Sequence, residues 1–228
     1  MNYPQGDLRD QLAYVGRDVV RSGLVVGSGG NLSVRLPGDD SCWVTASGTW
    51  LDRLDRASFV RVRIPDGMTY PDEAEHPAGS TLPVTPTSEV ALHLATYRAR
   101  PDVRAIVHLH PQSVLLLDAL GERVRLVTTD HGFYLRRIAR VPFRPPGTAE
   151  LADLAADAVR DGTNCLVLSQ HGCSVLGDSV ELAHKRARNL EEAAQLSYRA
   201  MAAGRLHDLP DCPAEFLARL DRMGTDTV

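Results

Sequence analysis

The stretch RAIVHLHPQS, residues 104–113, sets two imidazoles, His108 and His110, one residue apart inside an apolar run. In a strand, residues i and i+2 share a face, so both rings point one way while Val107 and Leu109 face the other. Two neighbouring neutral imidazoles are a start for a transition-metal site; for an HxH alone, separately hydrogen-bonded core or rim histidines are the alternative. His171 lies in LSQHGCSVLG, a polar turn between two apolar runs, where a side chain can lean over a sheet end. Glu89, in PTSEVALH, falls in the first turn of a helix one connection before the histidine strand. Three imidazoles and one carboxylate form a tetrahedral zinc-type set with a ligand position that substrate can take over. Taken singly, Glu89 also reads as a helix-dipole carboxylate and His171 as a turn histidine donating to a carbonyl. No HExxH or CxxC pattern competes for the metal. Cys173, two residues from His171, reads as a small buried hydrophobe rather than a ligand.

The elements that would position these groups follow from periodicity. A first helix is expected from Asp7 as N-cap, with Leu8, Leu12, Val15 and Val19 on one stripe and Gly23 ending it. VVGSGGNLSVRL reads as a glycine-rich turn entering a strand, SCWVTASG as a second strand and FVRVRI as a third, half-buried one. Residues 65–86, rich in Pro, Gly and acids, read as a surface loop. Thr85 and Pro86 are expected to open a helix, with Pro at its first position and Val90, Leu94 and Tyr97 on one stripe. A short helix around SVLLLDAL follows the histidine strand. RVRLVTT and RIARVPF are expected as strands with DHGFYLRR as the connection between them. GTAELADLAADAVRDG is an amphipathic helix, and NCLVLSQHGCSVLG is strand, turn, strand. A long helix starts near Asp178–Ser179, and the tail beyond Gly204 is weakly patterned. Several strand connections are too short for parallel crossovers. The expectation is therefore one α/β domain with a largely antiparallel or mixed sheet flanked by helices.

The 228 residues carry 43% hydrophobic and 24% charged side chains and a net charge of −4, which is ordinary for a soluble globular chain. With a pI near 6.0, nothing marks a nucleic-acid or polybasic membrane surface. The start MNYPQGDLRDQL does not read as a signal peptide, and no apolar run is long enough to span a bilayer. Cys42, Cys165, Cys173 and Cys212 are too few and too scattered for a disulfide scaffold. The expected home is reducing cytoplasm.

GSGGNLSVR, WVTASG, PTSEVALHLATYRARPDVRAIVHLHP and LSQHGCSVLG, in this order and spacing, resemble the class II aldolase/adducin family over about residues 8–203. The resemblance implies a single α/β/α domain across 1–228 with a mostly antiparallel sheet and a short tail at 204–228. It also implies a C4 homotetramer with active sites between subunits. It further implies one divalent metal per subunit, usually Zn2+ with Mn2+ or Co2+ as alternatives, held by His108, His110 and His171 with Glu89. The activity implied is reversible cleavage of a ketose 1-phosphate, such as L-fuculose 1-phosphate, to dihydroxyacetone phosphate and an aldehyde through a metal-stabilised ene-diolate, with Glu89 as the base. Gly30, Asn31, Ser47, Gly48, Thr87 and Ser88 would surround the phosphate. Glycine turns and helix N-termini offer backbone N–H groups to an anion, and no Walker or GxGxxG unit suggests a nucleotide instead. Where aldolases of the family place a tyrosine from a neighbouring subunit, this chain has about Thr128, followed by DHGFYLRR. Asp130, His131 and Tyr134 are candidate acids there, and Arg136 and Arg137 could bind an acidic substrate group. A solvated interface loop with charges paired across subunits is the other reading. Two further functions share the resemblance. One is a related reaction on the same metal: 4-epimerisation, decarboxylation of a 3-oxo sugar acid phosphate, or dehydration of a thioribulose phosphate. The other is a non-catalytic adducin-like module.

Overall fold

The computed structural model describes residues 3–70 and 84–223. Helix α1 spans Leu8–Arg21, and the Asp7 carboxylate accepts from the Arg9 N–H at its start. Its stripe of Leu12, Val15 and Val19 is fully buried, each side chain contributing on the order of 1.5–3 kcal/mol of burial. Three strands follow, β1 (Asn31–Arg35), β2 (Ser41–Thr45) and β3 (Phe59–Arg63), then α2 (Val90–Ala99), β4 (Ala105–Leu109) and α3 (Gln112–Ala119). The chain continues through α4 (Thr129–Leu135), β5 (Ile138–Val141), α5 (Ala149–Val159), β6 (Cys165–Leu168), β7 (Gly172–Gly177), α6 (Val180–Ala202) and α7 (Ala214–Met223).

The seven strands form one sheet in the order β3-β2-β1-β4-β7-β6-β5. Every neighbouring pair is antiparallel except β5 and β6, which run parallel on either side of the α5 crossover, so the sheet is mixed. The two faces bury separate cores. Leu32, Val107, Leu109, Val167 and Val175 pack with α1, α3 and α6. Val44, Val62, Ile106, Leu166 and Leu176 pack with α2 and α5. The alternation expected for the histidine strand holds, with Val107 and Leu109 on the first face and His108 with Ile106 on the second.

Four expectations are corrected. Thr85–Pro86 does not open a helix. The segment pairs with the end of β2 instead, through Ser47 N–H to the Thr85 carbonyl, Thr87 N–H to the Thr45 carbonyl and an Ala46–Pro86 bridge. Helix α2 starts only at Val90, with Glu89 at its N-cap. RVRLVTT forms no strand because its backbone groups are taken elsewhere: the Arg125 N–H donates to Ser197 Oγ, and the Leu126 carbonyl accepts from Cys212 N–H. DHGFYLRR is not a loop but mostly α4, since Thr128 accepts from the His131 N–H as a proper N-cap. The tail carries a 3-10 turn and α7. Of the expected loop at 65–86, residues 71–83 lie outside the described residues.

Candidate active site

Strand β4 delivers His108 from its buried penultimate position and His110 just past its end. His171 comes from the tight turn between β6 and β7, and Glu89 from the N-cap of α2. Glu89, His108, His110 and His171 are the group of possible metal ligands found among the described residues, with one ligand atom from each lying within 4.8 Å of the others. His108 Nε2 is 3.2 Å from His110 Nε2 and 3.1 Å from Glu89 Oε2, and His171 Nε2 is 3.1 Å from Glu89 Oε1. The three rings sit with centroids 4.9, 5.1 and 5.3 Å apart. These separations are close to the ~3.3 Å edge of a tetrahedron whose metal–ligand bonds are about 2.0 Å. Glu89 Oε1 is buried and not aligned for a hydrogen bond, as is the remaining ring nitrogen of His171. A buried carboxylate oxygen left unsatisfied among imidazole nitrogens fits a cation.

Electrostatics point the same way. Burial alone would raise the Glu89 carboxyl, but the close approach of the His108 and His171 imidazoles brings it well below the ordinary carboxylate range. Burial, together with the nearby His108 and His171, pushes His110 down to about 4, which leaves it neutral with a free lone pair near pH 7.

Neighbouring residues hold these groups from behind. Ser174 Oγ lies 3.1 Å from His108 Nδ1, across the β4–β7 pair that sets His108 opposite Ser174. The buried Glu191 carboxylate on α6 accepts from the Ser113 and Val114 N–H groups, capping α3 directly after His110 and Pro111. The buried Asp118 carboxylate accepts from the Gln170 N–H at 3.0 Å and from Arg140 at 2.6 Å. This holds Gln170 at φ +57, the left-handed residue that turns the chain into His171. Gly172 permits the close approach behind that turn: a Cβ there would lie 2.5 Å from the Leu109 carbonyl and 2.6 Å from His110 Cδ2.

A cavity of about 180 Å³ opens beside the cluster, lined by Gly30, Asn31, Ser47, Gly48, Thr87 and Ser88 together with Glu89 and His110. All six residues expected at a phosphate are thus brought together, because the 85–87 segment pairs with β2 and sets Thr87 and Ser88 beside the Ser47–Gly48 turn. Gly30 stands at φ +75 with its α-carbon against β4, where a Cβ would fall 2.7 Å from the His108 carbonyl.

The family model described as Class II Aldolase and Adducin N-terminal domain matches residues 10–198. The chain belongs to the class II aldolase and adducin family. Among its relatives, L-fuculose phosphate aldolase of Methanococcus vannielii is 32% identical over 178 residues, 78% of this chain and 88% of that protein. The 3-oxo-tetronate 4-phosphate decarboxylase of Escherichia coli K12 is 29% identical over 218 residues, 89% of this chain and 94% of that one. The crystal structure of YgbL from Klebsiella pneumoniae, described as a candidate aldolase/epimerase/decarboxylase, superposes with a TM-score of 0.79 at 26% identity, covering 93% and 97% of the two chains.

The class II aldolase fold does not bring the remaining expected residues into the site within one chain. Asp130 is exposed on α4, Tyr134 half-buried, and neither lines the cavity. His131 is fully buried and engaged: its Nδ1 accepts from the Val127 and Thr128 N–H groups, so its Nε2–H faces Glu192 Oε2 at 3.1 Å. Arg136 and Arg137 border a separate hollow of about 670 Å³, and Arg137 pairs with Asp161. Cys173 is a buried hydrophobe, as expected, with its thiol pushed up by burial. Sequence reasoning missed Ser174, Glu191 and Asp118. Only Ser174 had a signal, its position three residues after His171 in an alternating strand. No described helix is long and apolar enough to cross a membrane.

Proposed function

We propose that this chain is a divalent-metal-dependent lyase that opens the bond between the α- and β-carbons of a carbonyl group in a phosphorylated sugar, with aldol cleavage of a ketose 1-phosphate as its reaction. The observation that carries this reading is that Glu89 and His110 belong both to the metal-ligand cluster and to the wall of the cavity formed by Gly30, Ser47, Gly48, Thr87 and Ser88. His108, His110 and His171 would hold the ion with Glu89 beside it, and three nitrogens with one carboxylate suit zinc, manganese or cobalt. The bound ion supplies positive charge for the negative charge that develops as the bond breaks.

The chain's own groups do the rest. Hydroxyls of Ser47, Thr87 and Ser88 and the backbone around Gly30 and Gly48 receive the phosphate and fix the ketose end. Asn31 Nδ2 donates to Glu89 Oε2 at 2.9 Å, which leaves Oε1 as the oxygen that carries a proton. In the synthetic direction Oε1 removes a proton from the hydroxyl-bearing carbon of dihydroxyacetone phosphate; in cleavage it returns that proton to the same carbon. The acid that serves the aldehyde oxygen would come from α4 of a neighbouring subunit in a C4 homotetramer, where Asp130 and Tyr134 are the groups not committed as His131 is.

Decarboxylation of a 3-oxo acid phosphate is the second reading, favoured by the decarboxylase relative's alignment across 89% of this chain. The test is deuterium uptake into dihydroxyacetone phosphate in D2O, followed by NMR, with metal-loaded protein and no aldehyde. Metal-dependent exchange is the expected result. No exchange from protein that holds its metal overturns the aldolase reading, and carbon dioxide release from a 3-oxo acid phosphate then tests the second.

A further inference from the structure

Behind Glu89 runs a line of buried polar groups, of which His93, Ser33 and Tyr97 serve neither metal binding nor phosphate binding. Glu89, His93 and Tyr97 stand at i, i+4 and i+8, one face of the α2 segment. Asn31 and Ser33 stand at i and i+2 on β1, one face of that strand. The two sets interleave. Asn31 Nδ2 donates to Glu89 Oε2, Asn31 Oδ1 meets His93 Nε2, His93 Nδ1 is 2.6 Å from Ser33 Oγ, and Ser33 Oγ is 2.8 Å from the Tyr97 hydroxyl. His93 and Ser33 are completely buried, and Tyr97 and Asn31 nearly so.

We propose that His93 is a positioning residue for the Glu89 carboxylate, acting through the Asn31 amide to decide which Glu89 oxygen is pinned and which is free to carry a proton. The inference rests on the reading of Glu89 as the base.

Hydrogen-bond polarity along the line permits one arrangement. An ionised carboxylate only accepts, so Asn31 must turn its Nδ2 toward Glu89 and its Oδ1 toward His93. Oδ1 only accepts, so His93 carries its proton on Nε2. A neutral imidazole then accepts at Nδ1, so the Ser33 hydroxyl donates there and itself accepts from Tyr97. The longer 3.4 Å contact from the Tyr97 hydroxyl to the Arg104 carbonyl does not compete with this order. Burial, then the neighbouring His108, pushes His93 down to about 3, which keeps it neutral at working pH. Without the Nε2–H donor, Asn31 Oδ1 loses its buried partner, and the amide is no longer held from behind at the angle that pins Glu89 Oε2. One consequence concerns Asn31: its Oδ1 and one Nδ2 hydrogen serve this line, so only its second Nδ2 hydrogen remains for a substrate.

The test compares His93→Leu, which removes both ring nitrogens, with His93→Gln, whose side-chain N–H reaches about where the imidazole Nε2–H lies. All are measured as full-length, metal-loaded protein with dihydroxyacetone phosphate in D2O across pH. Metal content, thermal melting and the side-chain 15N spectrum of His93 are recorded alongside. The expected result is full metal content in both variants. In His93→Leu, kcat for exchange falls about 10- to 100-fold at little-changed KM, with a displaced acid limb of the pH profile; His93→Gln recovers most of it. Wild-type His93 should be neutral and protonated on Nε2. Wild-type rate and profile in His93→Leu overturns the proposal. So does His93→Gln as impaired as His93→Leu at matched melting temperature, or a wild-type His93 protonated on Nδ1. If wild-type protein itself exchanges no deuterium, the assignment of the reaction fails instead, and the tautomer decides the positioning claim by itself.

Discussion

Glu89, His108, His110 and His171 come from three separate stretches of chain and meet, while Asp130, His131 and Tyr134 share one short helix and do not. The residue types in the two regions are nearly the same. In the first, each group sits at a place where an element ends or a face is fixed: the penultimate position of a strand, the residue past its end, a tight turn and a helix N-cap. Ser174 and Asn31 touch His108 and Glu89 directly, Glu191 and Asp118 hold the backbone beside His110 and His171, and the inner atoms converge with one carboxylate oxygen unsatisfied. In the second, His131 has both ring nitrogens committed to the chain's own backbone and to Glu192. The lesson is that acid, imidazole and phenol become a site only when the fold leaves their polar atoms without internal partners.

The comparison can be broken hardest at Glu89. Glu89→Gln should hold its fold and lower the dihydroxyacetone phosphate exchange rate by about 10²- to 10⁴-fold, the usual worth of a general base; exchange within a few-fold of wild type would place the base elsewhere. Gly172→Ala forces a Cβ against the Leu109 carbonyl and the His110 ring. It should cost about 1–3 kcal/mol in denaturant unfolding and weaken metal binding as well. His131→Ala is the mirror case: stability should fall by about 1–3 kcal/mol through unpaired backbone N–H groups, with metal content unchanged. A loss of metal in that variant would erase the contrast between the two regions.

The smallest effect on stability at neutral pH belongs to His93→Gln. The His93 imidazole is held at about 3 against an ordinary 6.5, so below pH 6.5 the unfolded chain takes up a proton that the folded chain refuses until about pH 3. The stability this group contributes is therefore fully present above pH 6.5 and is lost as the pH falls through that window, at about 1.4 kcal/mol per pH unit along its steep part. His93→Gln should flatten the acid side of the stability curve, measured by urea unfolding between pH 7 and 4.

Legibility in the sequence followed the same division. The HxH spacing, the SQHG turn and the glycine-rich entry to β1 are local signals, and each led to residues that the fold brings to the cluster or to the cavity wall. The strand alternation around His108 and the N-cap at Asp7 were readable for the same reason. Position along the chain misled where long-range pairing decides. Thr85–Pro86 looked like a helix start because nothing local shows that it will pair with β2. RVRLVTT looked like a strand because its alternation is real, but its backbone partners lie on α6 and beyond it. Glu191 and Asp118 carry no local signal, since each acts on a turn many residues away. The Glu89–His93–Tyr97 spacing carries no such signal in the sequence, where Tyr97 reads as part of the apolar stripe; only the register of Asn31 and Ser33 gives it meaning.

The most direct test of the central claim is the metal stoichiometry of stripped protein titrated with Zn2+, comparing wild type, His108→Ala and His131→Ala by calorimetry and elemental analysis. Wild type and His131→Ala should each take up one ion per chain, and His108→Ala none at comparable affinity. Unchanged uptake by His108→Ala would mean that Glu89, His108, His110 and His171 are not the metal centre.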